Sequence, residues 1–77
     1  MEMTLQSTSK IVEIDSVPAR VWEGVSARGI PVRAYINRVV AKRSDDSQAF
    51  QLELQEHTAP SAVVAALPTH ITLKGRP

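Results

Sequence analysis

The chain has 77 residues, a formal net charge of +1, 43% hydrophobic and 22% charged residues, and no cysteine. This length supports one domain, and such a domain buries only roughly 60% of the surface its unfolded chain exposes, so a lone copy is marginally stable. The composition excludes a disulfide framework, a thiolate zinc site and a cysteine nucleophile. Its two histidines, His57 and His70, stand 13 residues apart without metal-ligand spacing, and no metal or cofactor is expected. The three aromatic residues, Trp22, Tyr35 and Phe50, are too few for a large aromatic ligand pocket.

Met1 to Ser9 is polar and rich in Ser and Thr, which predicts a loosely ordered start. It lacks the basic and then apolar pattern of a secretory signal. The longest apolar run, Ala62 to Leu67, falls far short of a membrane span. These features predict a bacterial-style cytoplasmic protein with no membrane contact. A single domain is expected over residues 10–74, with a frayed end over 75–77.

Within that domain, Ile11, Val12 and Ile14 predict a brief strand over Lys10 to Asp15, broken by Ser16 to Pro18. Arg20 to Ser26 and Ile30 to Ala41 are β-rich runs flanking Ala27-Arg28-Gly29, the pattern of a hairpin. A two-residue loop would set Trp22 against Arg33 and Glu23 against Val32. A three-residue loop with Gly29 in the left-handed region instead pairs Trp22 with Ala34, Gly24 with Val32 and Glu23 with Arg33, matching apolar with apolar and acid with base. This register predicts a core face of Trp22, Ile30, Val32, Ala34 and Ile36, with Trp22 as a core anchor. Val21, Glu23, Val25, Pro31, Arg33, Tyr35 and Asn37 then lie on the outer face. A bulge near Asn37-Arg38 is expected to keep Val39 and Ala41 inward and Arg38 and Lys42 outward. Pro31 has no N–H, which places it against an open edge.

Ser44 to Ser47 is a polar break with Asp45 and Asp46 at a helix start. Phe50, Leu52 and Leu54 alternate as in a strand, yet Ala49 to Glu56 has no β-branched residue, and Phe50 and Leu54 share a helical face. A helix from Asp46 to His57 is favoured over a strand. Ser61 is a candidate N-cap for a short helix, Ala62 to Leu67, stopped by Pro68, and Thr69 to Lys74 reads as a final strand. The fold class is α+β: an antiparallel sheet of three or four strands with one main and one short helix packed over the Trp22 face, in the order β-β-β-α-α-β.

The chemistry-bearing residues form no catalytic constellation. No nucleophile elbow or phosphate-cradling glycine loop is present, and Asp45-Asp46 reads as a helix start rather than an acid/base pair. No catalytic residue is assigned and the protein is read as a non-enzyme.

Charge is segregated: between Pro18 and Arg43 lie six basic residues and one acid, and between Ser44 and His57 four acids and no Lys or Arg. The two stretches can complement each other within one fold or across a dimer. The outer hairpin face mixes Val21 and Val25 with Arg33, Tyr35, Arg38 and Lys42. This is the expected interaction surface, for a second copy of the chain or another protein. The alternative is nucleic acid, held by Arg20, Arg28, Arg33, Arg38 and Lys42 with Tyr35 as a stacking aromatic.

Val21-Trp22-Glu23-Gly24, Gly29-Ile30-Pro31-Val32, Phe50 with Glu53-Leu54, and Ala59-Pro60-Ser61 together resemble short uncharacterised bacterial proteins of mobile elements such as phages, plasmids and gene cassettes. The resemblance spans Pro18 to Leu73 and implies an accessory role. It also favours a helix around Phe50, and it supplies no functional residue.

Overall fold

In the computed structural model, which describes residues 1–73, Gly29 adopts φ +79°, the left-handed position that closes a three-residue hairpin loop. The Gly29 N–H donates to Ser26 O and the Ser26 N–H to Ile30 O, both at 2.9 Å. The loop joins β2 (Val17–Ser26) to β3 (Pro31–Ile36) and sets Trp22 opposite Ala34, Glu23 opposite Arg33 and Gly24 opposite Val32. This is the register that side-chain matching predicts.

Before them runs β1 (Met3–Ile14), antiparallel to β2. After β3 come a 3-10 turn (Ser44–Asp46), α1 (Ser47–Glu53), α2 (Ala62–Ala65) and β4 (His70–Ile71). The strands form one sheet in the order β3-β2-β1-β4. The fold is α+β with the expected order of elements, and the sheet is mixed because β4 runs parallel to β1.

β1 is longer than its sequence suggests. Met3 to Ser7, within the Met1 to Ser9 start expected to be loose, pair with β2 from Met3↔Ser26 to Ser7↔Trp22. Polar strands lack the apolar alternation that signals a sheet, and here hydroxyl chemistry takes its place. The ladder is irregular between Ser7 and Ile11, and Thr8, buried there, donates its hydroxyl to Val21 O at 2.7 Å while its Oγ1 accepts from the Lys10 N–H at 3.2 Å. The bulge predicted near Asn37-Arg38 does not form. β3 ends at Ile36 and the chain leaves the sheet, with Val39 and Ala41 half-buried and Arg38 and Lys42 exposed.

The core lies on the opposite face from the one predicted. Val12, Val21 and Val64 are fully buried, and Ile14, Tyr35, Leu67 and Ile71 pack around them. Val21 and Tyr35 belong to the face read as outer, whereas Trp22 is only half-buried. Because successive strand residues point to opposite faces, a correct register with the wrong face inverts every side chain of the hairpin. α2 decides the outcome by bringing Val64 onto the Val21 face. Ser61 caps α2 as predicted, its Oγ accepting from the Val64 N–H at 3.3 Å.

α1 ends four residues before the predicted limit of His57. Tight turns follow, from the Gln55 N–H to Leu52 O and from the Glu56 N–H to Glu53 O, and the edge of β1 then captures the chain at Thr58. The Thr58 N–H donates to Ser7 O at 2.9 Å and Thr58 O accepts from the Ser9 N–H at 3.1 Å. The end of the predicted last strand and the frayed tail over 75–77 lie outside the described residues.

Two backbone positions carry opposite predictions. The β1–β2 turn places Asp15 (φ 49°) and Ser16 (φ 71°) in the left-handed region, where Ser is strained. At Gly24 a Cβ would meet the Thr4 carbonyl oxygen at 1.7 Å and Leu5 Cα at 2.9 Å, a backbone contact that cannot rotate away. Ser16→Gly is expected to stabilise the chain by about 0.5–1 kcal/mol. Gly24→Ala is expected to destabilise it by roughly 1–3 kcal/mol. Thermal unfolding of the two variants checks both signs.

Candidate functional site

The inverted face redistributes the residues that the sequence grouped together. Val21 is 0% exposed and carries no surface role, whereas Val25 is 44% exposed near the hairpin end. Tyr35 is half-buried against the valine core, and its hydroxyl accepts from Arg33 Nη1 at 3.4 Å. Arg33 is exposed on the same face. Arg20 and Arg38 instead line a cleft beside Trp22 on the other face. Arg28 projects from the hairpin loop and Lys42 from the segment after β3, both exposed. No single basic strip results.

The expected Glu23–Arg33 pairing is present in register, but the Glu23 carboxylate is given to another partner. Its Oε2 accepts from the Ser61 N–H at 2.9 Å and its Oε1 from the Ser61 hydroxyl at 2.6 Å. The Ser61 hydroxyl, then the Ser61 N–H, and in smaller measure the positive charge of Arg33 hold the Glu23 carboxyl below its ordinary 4.5, against a desolvation that pulls the other way. Glu23 thereby fastens the start of α2 to β2, and with it Val64 to the core.

At the outer edge, the Ser26–Ile30 hydrogen bond fixes which residues of β3 face β2. By alternation Val32, Ala34 and Ile36 direct their backbone groups inward, and Pro31, Arg33 and Tyr35 direct theirs out. Among the described residues, no backbone hydrogen bond from outside the sheet reaches these outward groups. Pro31 has no N–H to leave unpaired, which blunts one end of the edge. The opposite edge is covered in part: Thr58 bridges to Thr8, and β4 pairs with Glu13 and Ile14. At that junction His70 Nδ1 meets Glu13 Oε2 at 2.5 Å, an ion pair when the imidazole is protonated.

On the Trp22 face, a cleft of about 310 Å³ lies between the sheet and the segment leading through α1. Ile11, Pro18, Ile36 and Leu54 give it apolar walls around Trp22, and Arg20, Asn37 and Arg38 give it polar ones. Arg20 is held in place by a hydrogen bond from its Nη1 to Thr8 O at 2.8 Å. Across the indole lies a second hollow of about 300 Å³, bordered by Leu5, Ser7 and His57. The Ser7 hydroxyl there stands 3.5 Å from His57 Nδ1 but donates to Glu56 O at 3.1 Å, so its proton is already engaged.

Among the described residues, no group of three or more His, Cys, Asp or Glu side chains is gathered closely enough to hold a metal ion. None of the described helices is long and apolar enough to cross a membrane. Sequence reasoning missed the cleft because it placed Trp22 inside. The available signal was Arg20 two residues from Trp22, on the same strand face. No family model, curated protein or solved structure matches the chain.

The Glu23–Ser61 clasp carries a pH prediction. A carboxyl whose folded value is depressed stabilises the fold fully above its unfolded value, near 4.5, and loses that contribution as pH falls through the lower folded value. Glu23→Gln should unfold at a lower temperature than the native chain at neutral pH. The two curves should converge on acidification below the folded value, which a series of thermal melts against pH will read.

Proposed function

We propose that this protein is a small, non-catalytic interaction module of the bacterial cytoplasm that self-associates through the free edge of β3. The observation that carries the reading is the pair of outward backbone positions at Arg33 and Tyr35, on a strand that has nothing paired to its outer side among the described residues. A sheet edge of this kind is a template for another strand, and short proteins that avoid association protect such edges.

Antiparallel pairing of two β3 edges around a two-fold axis is self-complementary. Setting Arg33 of one copy opposite Tyr35 of the other extends the Arg33–Tyr35 contact already made within each chain. It also keeps the two Arg33 charges from facing each other directly. The likeness to mobile-element proteins supports an accessory role for such a module.

The test separates backbone from side chain at one position. Arg33→Pro deletes an outward N–H without touching the ladder to β2, whereas Arg33→Ala removes the guanidinium and leaves the N–H. Light scattering on the native chain and on Arg33→Ala should give twice the 8.4 kDa chain mass. Arg33→Pro should give the chain mass with an unchanged circular dichroism spectrum. A native chain that is monomeric, or a dimer that survives Arg33→Pro, contradicts the proposal.

A further inference from the structure

The geometry points to a second site, distinct from the β3 edge: the Trp22 cleft binds single-stranded nucleic acid, with one unpaired base against the indole and the adjoining phosphates on Arg20 and Arg38. Trp22, Ile36 and Leu54 form an apolar slot, and Arg20, Asn37 and Arg38 supply its polar side. None of the described residues lining the cleft is acidic, and Arg20 and Arg38 set two positive charges on its polar side. At about 310 Å³ the space is at the low end for ligand sites, suited to one base rather than a larger molecule.

The two cations are prepared differently for a phosphate. The Arg20 guanidinium is held by its single hydrogen bond to Thr8 O, which leaves further N–H groups open. Arg38 is exposed and has no hydrogen-bond or ion-pair partner among the described residues. An aromatic face beside cations that track a backbone is the combination by which unpaired strands are held without sequence reading. The Asn37 amide offers a donor and an acceptor to a base edge. A free carboxylate ligand would use the guanidiniums and leave the indole without a planar partner.

Trp22 is the sole tryptophan and borders both this cleft and the hollow beside Ser7 and His57. Its fluorescence therefore reports binding at the indole, and the Arg38 variant assigns that binding to the cleft. The native chain is titrated at low salt with a decamer of deoxythymidylate, with thymidine 5′-monophosphate and with an acidic peptide. The decamer should quench Trp22 saturably and bind far more tightly than the mononucleotide. Arg38→Ala should weaken decamer binding roughly ten-fold and reduce its salt slope by about one. Arg28→Ala removes the same charge from the hairpin loop and should leave the titration unchanged. The inference is overturned by an absence of quenching, by equal losses in the two variants, by a mononucleotide that binds as tightly as the decamer, or by quenching from the acidic peptide alone. None of these outcomes depends on whether the β3 edge pairs.

Discussion

Three valine side chains determine which way this sheet faces. Val12 on β1, Val21 on β2 and Val64 on α2 meet in a fully buried cluster, and burying each is worth about 1.5–3 kcal/mol. Among the described residues no other buried hydrophobic cluster competes with them. Once Val21 is inside, strand alternation sends Tyr35 to the same side and leaves Trp22, Arg20 and Ile36 on the other. The clasp between Glu23 and Ser61 belongs to the same constraint, because it fixes the start of the short helix that delivers Val64. The valines are thus the reason for the indole's position beside a cleft.

A core of three valines covers only one side of a sheet. On the other side the segment through α1 buries none of its own helical residues, and the space beneath it remains open around Trp22. Among the described residues, the backbone at the β3 edge has no partner on its outer side either. Both features have one cause, a chain too short to cover two faces and two edges at once. They also relate geometrically. A two-fold antiparallel pairing of β3 edges keeps each sheet face on its own side, so the Trp22 clefts of two copies would open in the same direction.

Much of this architecture was legible locally. The three-residue loop and its register follow from pairing Glu23 with Arg33 and Trp22 with Ala34, and the structure has both. Ser61 as an N-cap, the order of elements and the helix around Phe50 are equally visible from turn chemistry and propensity. The orientation of the hairpin was not legible, because its two faces are nearly matched in apolar content. Trp22, Val32 and Ile36 stand on one face, and Val21, Val25 and Tyr35 on the other. The decision rests on Val64, 43 residues beyond Val21 in the sequence. The first half of β1 was hidden for a different reason: its order comes from backbone pairing and the Thr8 hydroxyl, which leave no mark in hydropathy. Of the expected surface, Arg33 and Val25 remain exposed, Val21 is buried, and Arg38 lies instead beside Trp22.

The most direct measurement of which face is inside is iodide quenching of the single tryptophan in the native protein. A Trp22 that borders an open cleft beside Arg20 and Arg38 will be quenched efficiently by the anion and will emit at longer wavelengths than a buried indole. A blue-shifted emission that iodide leaves untouched until the chain is unfolded would put Trp22 in the core, and would contradict the valine-centred fold.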